Sequence, residues 1–455
     1  MTLIETPPRP RIAATAPMSR ATPQLILTII WLGAAAAVGL WWRDTASVQG
    51  LAGWLTNAGR ITGMLAGYAV VVLVALMARI PMLERGVGSD RLARWHAMGG
   101  RYAVSLVVAH ALLITWGYAV AAHTSVASEA STLFWSYPNM IAATIGGLLL
   151  VAVGIVSARA ARRRMRYETW YYLHFATYLA VGLAFSHQLS TGAEFMTHPV
   201  ARIAWGTMYA GVAALLVWHR IITPIRQAAR HQLRVGEVID EGADTISVVI
   251  GGRHLDELRA EPGQFFRWRF LTRGLWWTAN PYSLSAPVRQ DRMRITTKGL
   301  GDHSRKLRFL QPGTRVVAEG PYGAFTGRRR RQPKVLLIAG GVGITPLRAL
   351  FGSLPAEHGD LTLLYRVSQP ADVIFGEELQ AIAEARGARL HIVSGRRTDL
   401  GGDPLSEASL KANVPDLRSH DVYVCGPEGM TASTVASLRR AGVPSRQIHH
   451  ESFTL

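Results

Sequence analysis

The chain has 455 residues, of which 49% are apolar and only 17% are charged, and its mean hydropathy is +0.16. A chain of this length is expected to hold two or three domains, and this composition argues against a disordered chain or an ordinary soluble protein. The net charge of +19 is explained more simply by basic residues flanking membrane spans than by nucleic-acid binding. The single cysteine, Cys425, excludes a disulfide framework, a cysteine-ligated iron–sulfur cluster and a cysteine-rich zinc site.

Six windows without charged residues occupy the first half of the chain, and each is close to the roughly 20 residues that a helix needs to cross a bilayer. The windows lie between Arg20 and Arg43, Arg60 and Arg79, Arg101 and Glu129, Glu129 and Arg159, Glu168 and Glu194, and Arg202 and Arg220. We therefore predict an N-terminal tail over 1–23 and a six-helix transmembrane bundle over 24–222.

Arginines concentrate in alternate connections between these windows. The tail, the second loop, the fourth loop (159–166) and the segment after the sixth window are arginine-rich, whereas the third and fifth loops hold no lysine or arginine. Because positively charged loops stay on the cytoplasmic side, this alternation predicts a multi-pass protein of the inner or plasma membrane, in contact with lipid, with both termini in the cytoplasm. It argues against the alternative, buried helices of a large soluble protein.

Two of the predicted spans each carry a pair of histidines. The third span region holds His96 and His110, and the fifth holds His174 and His187. Separations of 14 and 13 residues correspond to roughly 20 Å along a helix, so each helix would offer an inner and an outer imidazole. Because imidazole is a good axial ligand of haem iron, we predict an inner pair, His96 with His174, and an outer pair, His110 with His187, that hold two b-type haems.

Helical geometry suits this spacing on only one of the two helices. At about 100° per residue, fourteen steps return to within roughly 40° of the starting face, whereas thirteen steps end roughly 140° away. The fifth span would therefore need local tightening, or a ligand that approaches from another side. The alternative for these histidines is hydrogen bonding to neighbouring helices.

The rest of the chain has the pattern of a soluble module. Alternating apolar segments such as 245–250 predict an antiparallel β-barrel domain over 231–327. From Lys334 the order of apolar strand, glycine-rich turn, helix and strand predicts an α/β nucleotide-binding domain over 333–455. The four arginines of the connecting segment 327–333 predict a solvated loop, with contact to anionic lipid headgroups as the alternative.

Two segments of the first soluble domain are typical of flavin and phosphate binding. In the run that begins at Asn280, Tyr282 can stack on a flavin ring and Ser283 can hydrogen-bond its polar edge. Gly301 and Ser304 stand at a predicted helix start, where backbone N–H groups and a hydroxyl can meet a pyrophosphate. Each motif alone could be a plain turn, but their order along the chain favours an FAD site.

Two glycine-rich turns of the second soluble domain predict a dinucleotide site. The first follows an apolar strand, and its members at the helix start are Gly340, Gly341, Gly343, Thr345 and Pro346. The second follows the last strand and contains Cys425, Gly426 and Pro427. The thiol is either a small core residue or a neighbour of the nicotinamide.

Three arginines at strand ends indicate which nicotinamide nucleotide binds. Arg366, Arg396 and Arg397 can hold a 2′-phosphate through their guanidinium groups. No acidic residue lies in the turn 394–397 to meet a free ribose hydroxyl. We therefore predict NADPH rather than NADH, with a solvated arginine pair as the alternative.

Residues 24–455 resemble the ferric reductase and NADPH oxidase superfamily, in which a six-span bis-haem membrane domain is fused to a ferredoxin-NADP reductase-like module. The histidine spacings match its paired haem ligands, and the soluble motifs match its reductase module. The residues of the matching soluble motifs are Pro281, Tyr282, Ser283, Gly301, Ser304, Leu307, Gly340, Gly341, Gly343, Thr345, Pro346, Cys425, Gly426, Pro427, Glu451, Ser452 and Phe453. Asn280 stands where the family usually has His or Arg, so we expect FAD to bind weakly.

The resemblance implies an NADPH-dependent transmembrane oxidoreductase. Electrons would pass from cytoplasmic NADPH to FAD, then to the inner and outer haems, and finally to oxygen or ferric iron outside. The residues next to the reacting rings would be Tyr282, Ser283, Cys425 and Phe453, with Phe453 covering the flavin. Alternatives are an electron donor to a periplasmic redox partner, a channel or transporter with a nucleotide-sensing domain, and a haem-free membrane-anchored flavoprotein.

Overall fold

A computed structural model describes the chain in two units, one ending at Ile222 and the other beginning at Thr223. The described residues are 22–43, 45, 48–158, 165, 167–396 and 398–453. Our predictions for the tail up to residue 21, for all five arginines in the fourth loop and for Arg397 lie outside these residues, as does the prediction for the side chain of Phe453.

All the regular secondary structure in the described part of the first unit is helical. A π-helical turn, Trp218–Ile222, ends the unit. The α-helices are α1 (Thr22–Trp42), α2 (Gly50–Met77), α3 (Pro81–Gly86), α4 (Ser89–Ala121), α5 (Val126–Ser136), α6 (Met140–Ser157), α7 (Tyr167–Thr191), α8 (Ala193–Thr197) and α9 (Pro199–Val217).

Five helical segments in the described part of the chain are long and apolar enough to cross a membrane. They are Pro23–Trp42, Gly50–Met77, Arg91–Ala121, Met140–Ser157 and Pro199–His231. The fifth window that we predicted from the sequence is helix α7, which has 25 residues and so enough length. Its tyrosines, two histidines and Gln188 make it more polar than the other five, and the predicted count of six is therefore not confirmed.

A row of glycines at every fourth position lets α2 approach its neighbours closely. A Cβ atom on Gly59 would lie 2.7 Å from Ile114, and one on Gly63 would lie 2.5 Å from the Nδ1 atom of His110. At Gly67 a Cβ would lie 3.0 Å from the ring of Trp205. Residues four apart share one face of a helix, and small residues on such a face bring membrane helices into contact. The backbone of helix α2 therefore packs directly against side chains of the neighbouring helices.

The second unit begins with α10 (Thr223–His231) and a lobe of two antiparallel three-stranded sheets. The strands are β1 (Arg234–Gly242), β2 (Thr245–Gly251), β3 (Phe265–Phe270), β4 (Asn280–Ser283), β5 (Arg292–Lys298) and β6 (Val316–Tyr322), and a short helix α11 (Asp302–Lys306) follows β5. The sheet orders are β1-β2-β5 and β4-β3-β6, with isolated bridges at Arg234–Arg315 and Leu284–Ile295. The antiparallel character agrees with our prediction, but the pairing is two sheets rather than one continuous barrel ladder.

The other lobe of this unit is a five-stranded parallel sheet with the order β11-β10-β7-β8-β9. Its elements are β7 (Lys334–Gly340), α12 (Ile344–Ser353), β8 (Leu361–Val367), α13 (Gly376–Arg386), β9 (Arg389–Ser394), α14 (Glu407–Asn413), β10 (His420–Pro427), α15 (Glu428–Arg440) and β11 (Ile448–Phe453). The chain leaves β7 first toward β8 and β9 and later toward β10 and β11. The strand order therefore reverses between β7 and β10, and ligands of open α/β sheets bind at such a point.

The arginine-rich segment between the two lobes is largely exposed, as we predicted, but specific contacts also hold it. Arg328 pairs with Glu261 at 2.6 Å, and the guanidinium of Arg330 donates to the carbonyls of Gln332, Pro333 and Pro355. The buried carboxylate of Asp421 accepts the N–H groups of residues 331 and 332 at 2.5 Å each. Polar partners on both lobes therefore hold this segment in place.

The turn before β3 offers a test of the lobe boundary. Gly263 has φ +88°, and a Cβ there would lie 1.9 Å from the carbonyl oxygen of Phe325. We expect Gly263→Ala to lower the free energy of unfolding by more than about 1 kcal/mol, because alanine adds both a strained backbone and a clash. Thermal unfolding of the purified protein measures this loss. The control is Gly429→Ala, where the space is open and the backbone ordinary; an equal loss there would contradict the reasoning.

Candidate functional site

The histidines of α4 and α7 meet in two pairs. The ring centroids of His96 and His174 are 5.9 Å apart, and those of His110 and His187 are 6.3 Å apart. The inner and outer partners are those predicted from the spacing. Helix α7 is continuous through both of its histidines, so no local tightening accommodates the thirteen-residue spacing. Instead, the two histidine side chains approach α4 in different orientations, with interplanar angles of 73° in the inner pair and 38° in the outer pair.

A hydrogen bond on Nδ1 orients most of these rings. His96 Nδ1 lies 3.2 Å from the carbonyl of Leu73, and His110 Nδ1 lies 2.8 Å from the carbonyl of Gly59. His174 Nδ1 lies 3.3 Å from the hydroxyl of Ser157. His187 Nδ1 faces the carbonyl of Ala184 in its own helix, in poorer geometry. A carbonyl acceptor requires a proton on Nδ1, which leaves the Nε2 lone pair free for a metal.

A charged pair connects α2 and α8, next in sequence to the glycine whose carbonyl bonds His110. Arg60 follows Gly59 in α2, and its guanidinium contacts Glu194 of α8 at 2.6 Å and Asn57 at 3.1 Å. Glu194 is only 2% exposed. A carboxylate in apolar surroundings is stable only when a partner offsets its desolvation. Sequence reasoning treated both residues as markers of window ends and missed their pairing.

Tyr282 lies on the edge strand β4 at the centre of a small polar cluster. Its hydroxyl is 3.2 Å from His303 Nδ1, the two rings are near parallel at 27°, and Asn280 and Thr297 also reach that hydroxyl. Burial raises the pKa of Tyr282, so the hydroxyl stays protonated at neutral pH. Pro281 is exposed and Ser283 is buried on the same strand. Asn280 contributes an uncharged side chain to this cluster.

Gly301 and Ser304 form the first turn of α11. The Ser304 hydroxyl accepts from the Gly301 N–H at 3.0 Å and donates to the Gly301 carbonyl at 3.0 Å. These bonds explain why the helix begins here, because the hydroxyl satisfies a backbone group that a helix end leaves open. The predicted contact of this hydroxyl with a pyrophosphate remains a prediction.

The two glycine-rich turns meet at the reversal point of the parallel sheet. A Cβ on Gly343 would lie 2.2 Å from the carbonyl of Cys425, and one on Gly340 would lie 2.3 Å from the sulfur of Met430. Gly341 has φ +52° and open space around it, and Gly426 packs on Gly340. The glycines therefore serve first to let the loops after β7 and β10 touch. Thr345 and Pro346 are buried at the start of α12, where Thr345 donates to the Val342 carbonyl at 2.7 Å.

Cys425 and Phe453 lie on neighbouring strands at that same edge. The Cys425 side chain is fully buried among Ala339, Ile344 and Tyr365, so the core interpretation accounts for its packing. In the ladder between β10 and β11, Phe453 stands opposite Pro427. The backbone thus brings the last strand beside the second glycine-rich turn.

The predicted phosphate-binding arginines differ in exposure and in their hydrogen bonds within the protein. The guanidinium of Arg366 donates to the carbonyls of Val367, Val393 and Gly395, so it holds the turn after β9 rather than pointing at solvent. Arg396 is exposed, and its backbone N–H donates to Asp399 at 3.1 Å. Asp399 lies just beyond the turn in which we found no acidic residue, and a carboxylate there can meet a ribose hydroxyl.

An ionic cluster that sequence reasoning did not anticipate joins the two lobes of the second unit. Arg294 of β5 contacts Glu378 of α13 at 2.9 Å, and Arg348 of α12 donates to the same carboxylate. Desolvation lowers the pKa of Arg348 to about 10, which still leaves it charged at neutral pH. Arg294 and Glu378 are 84 residues apart in the chain, and no local signal connects them.

Comparison with known proteins assigns a family to part of each unit. Residues 62–185 match the profile of the ferric reductase like transmembrane component, and residues 337–436 match the oxidoreductase NAD-binding domain. The first match includes His96, His110 and His174, and the second includes both glycine-rich turns.

Two relatives align with about half of the chain. The ferredoxin reductase component of 3-ketosteroid-9-alpha-monooxygenase from Mycolicibacterium smegmatis is 32% identical over 49% of this chain and 65% of its own length. The glycine betaine monooxygenase reductase subunit of Chromohalobacter salexigens is 30% identical over 49% of this chain and 64% of its own length. The chain thus spans just under two thirds of either relative.

Among solved structures, the flavohem-like FAD/NAD binding domain of nitric oxide dioxygenase from Vibrio cholerae is 25% identical to the aligned part of the chain. It covers 49% of this chain and 98% of its own, with a TM-score of 0.42.

The different surroundings of Arg366 and Arg396 predict different phenotypes. Arg396→Ala should weaken NADPH binding roughly 10- to 100-fold and leave NADH binding unchanged, because it removes a charge-assisted bond worth about 1.5–3 kcal/mol to the 2′-phosphate alone. Arg366→Ala should weaken both nucleotides alike, because it releases the turn. Titration of the purified protein with each nucleotide measures both effects. Equal losses for NADPH and NADH in Arg396→Ala would remove this residue from the phosphate site.

Proposed function

We propose that this chain, which combines the transmembrane component and the NAD-binding domain of the ferric reductase and NADPH oxidase superfamily, carries electrons from NADPH through FAD and two b-type haems to an acceptor across the membrane. The observation that carries the proposal is the meeting of four membrane histidines in two pairs, one at each level of α4 and α7.

The paired imidazoles fit a haem iron in their spacing. A metal ion that bound one nitrogen of each ring at about 2 Å would fit between ring centroids roughly 6 Å apart, because a ring nitrogen lies about 1 Å from its centroid. The observed 5.9 and 6.3 Å agree with that value. The described residues contain no group of three or more histidine, cysteine, aspartate or glutamate side chains arranged for a metal, so a two-ligand site is the better fit. His96 with His174, and His110 with His187, would hold the two irons.

The residues of the chain supply position rather than proton transfer. When bound, FAD accepts a hydride and the haems carry single electrons. Tyr282 and Ser283 would orient the flavin, while the turns at Gly340 and Gly426 would receive the nucleotide at the reversal of the sheet. The carbonyls of Leu73 and Gly59 hold inner and outer imidazoles in one tautomer.

Helix α7 is proposed as the sixth membrane-crossing segment. Its 25 residues are about 37 Å long, more than the roughly 30 Å of a bilayer core. Its polar residues include the two histidines, which face α4 rather than lipid. With six crossings, both termini would lie on one side of the membrane, which would be the cytoplasmic side if the basic loops follow the positive-inside rule.

Oxygen or ferric iron is the proposed acceptor. A second candidate is a redox protein, because both relatives are named as reductase parts of monooxygenases. Superoxide release, ferric chelate reduction and reduction of an added redox protein, each measured with NADPH and the protein in vesicles, separate these acceptors.

Replacing one histidine of a pair should cost one haem. We expect His110→Ala and His187→Ala each to halve the haem content and to spare the inner site, because the pairs share no ligand. A pyridine haemochrome assay with protein quantitation measures the ratio. His123→Ala is the control, since that exposed histidine has no such pair. An intact protein with one haem or none would contradict the bis-haem proposal.

Asn280 should limit the affinity for FAD. Asn280→Arg should lower the FAD dissociation constant roughly tenfold or more, because a hydrogen bond from a charged donor is worth about 1.5–3 kcal/mol. Asn280→Gln, which stays uncharged, should not. Flavin fluorescence titration of the FAD-stripped protein measures both constants, and stopped-flow haem reduction by NADPH should follow FAD occupancy. Tight FAD retention by the wild-type protein would show that the cation is dispensable.

A further inference from the structure

We propose that Arg294, Glu378 and Arg348 form an ionic clamp that fixes how the two lobes of the second unit face each other, and that Glu378 is a positioning residue for hydride transfer. The inference rests on the proposed function, because it concerns the distance between a flavin held by one lobe and a nicotinamide held by the other. None of the three residues belongs to a motif that sequence reasoning assigned to a cofactor.

The clamp crosses from lobe to lobe through a single carboxylate. Arg294 lies on β5 of the antiparallel lobe and contacts both Glu378 oxygens, at 2.9 and 3.2 Å. Arg348 lies on α12 of the parallel lobe and donates to the Oε1 atom of the same group. The two arginine side chains are 18% and 12% exposed, and that of Glu378 is 31% exposed. Charge-assisted hydrogen bonds from two largely buried guanidinium groups restrain the position of the carboxylate that they share.

The surroundings of the clamp make Glu378 the residue on which it depends. Two positive groups share one negative group, and Arg289 adds further positive charge nearby. Glu378 stands in the first turn of α13, where a carboxylate is stabilised by the helix dipole. The guanidinium of Arg294 also lies 4.8 Å from the ring centroid of Phe375, at the start of that helix. Without the carboxylate, the two arginines would face each other uncompensated.

Each arm of the clamp is tied to a segment that would hold a cofactor. Arg294 donates from Nε to the Ser285 hydroxyl and from Nη2 to the Ser285 carbonyl, both at 3.1 Å. Ser285 is fully buried and follows Ser283 of the flavin strand by two residues. Arg348 belongs to the helix that begins directly after the glycine loop ending at Gly343. The clamp therefore connects the flavin strand to the nucleotide loop.

Hydride transfer is sensitive to this connection. It requires the donor and acceptor atoms to come within about 3–3.5 Å, and a displacement of about 1 Å can slow it by 10²-fold. Because the two rings would be carried by different lobes, the relative orientation of the lobes decides that distance. Binding of either cofactor alone needs only its own lobe.

The experiment is anaerobic stopped-flow reduction of the FAD-loaded full chain by NADPH. Glu378→Gln should lower the limiting rate of flavin reduction roughly 10- to 100-fold, while the NADPH concentration at half-maximal rate changes less than about threefold. The deuterium isotope effect with NADPH labelled at the nicotinamide C4 should rise toward its full value, because the hydride step becomes slower than the others. Reduction by dithionite and FAD content should not change.

Three further variants separate positioning from stability. Glu407→Gln removes a carboxylate that pairs with Lys411 inside one lobe and should leave the rate unchanged. Asp372→Asn weakens a second contact between the lobes, to Lys298 at 3.7 Å, which has no bond to the flavin strand, and should have a smaller effect. Glu378→Asp keeps the charge and should recover part of the rate.

The outcomes are distinguishable. A limiting rate in Glu378→Gln within threefold of the wild-type value overturns the inference, and so does a loss that comes entirely from released FAD or weaker NADPH binding. If Glu378→Gln does not fold, Arg294→Lys serves instead, since it keeps the charge but loses the two bonds to Ser285, and an unchanged rate there overturns the inference equally. Failure of the wild-type protein to reduce flavin with NADPH would refute the proposed function itself.

Discussion

The absence of side chains at Gly59, Gly63 and Gly67 is the constraint on which the arrangement of the membrane unit depends. The carbonyl of Gly59 accepts the Nδ1 proton of His110, and the imidazole reaches it only because Gly63 has no Cβ in the way. One turn further, Gly67 lies against the ring of Trp205, and its carbonyl accepts the hydroxyl of Tyr209 at 3.0 Å. A single methyl group at the middle glycine would push the imidazole of His110 away from α2 and so change its position relative to His187.

Two buried carboxylates in this unit are paired with groups of opposite charge. Arg60 and Glu194 neutralise each other, and Glu84 is held by Arg79 at 2.9 Å and by the hydroxyl of Ser89. Each of these carboxylates is almost fully buried. Because an unpaired charge in apolar surroundings is costly, each pair fixes the helices that carry it relative to one another. Connections such as α3 and α8 thereby become part of the packing.

Sequence patterns predicted the parts of this molecule that depend on composition and spacing. Membrane helices, the antiparallel and parallel lobes, and the resemblance to the ferric reductase and NADPH oxidase superfamily followed from hydropathy, alternation and motif order, and the family matches confirm that resemblance. The four histidines were found because ionisable groups are conspicuous in apolar windows. The hydrogen-bond acceptors of their Nδ1 atoms were not predicted, because a backbone carbonyl such as that of Leu73 has no signature in the sequence. The glycine row of α2 is a repeat of four in the sequence, but its spacing alone does not indicate which side chains it meets.

Contacts between residues distant in the chain account for the features that the sequence did not predict. Arg366 ends a strand, as a phosphate ligand would, but only the neighbouring strand shows that its guanidinium is already used by Val393 and Gly395. Arg328 and Arg330 form part of a basic run, yet Glu261 and the carbonyl of Pro355 bind them from other parts of the chain. Helix α7 is not among the five described segments that are apolar enough to cross a membrane, because the histidines and tyrosines that make it informative also make it polar.

Helix α12 has only ten residues. Its first residue follows the glycine loop, and Arg348 in its middle contacts Glu378. Arg348 follows the start of the helix by a little more than one turn. A helix this short behaves as a stiff rod of about 15 Å, with no proline or glycine in its first turns at which to hinge after Pro346. A displacement of the loop therefore cannot be absorbed along the helix and must appear as a tilt at its other end. Movement of the glycine loop is therefore transmitted through α12 to the contact with the antiparallel lobe.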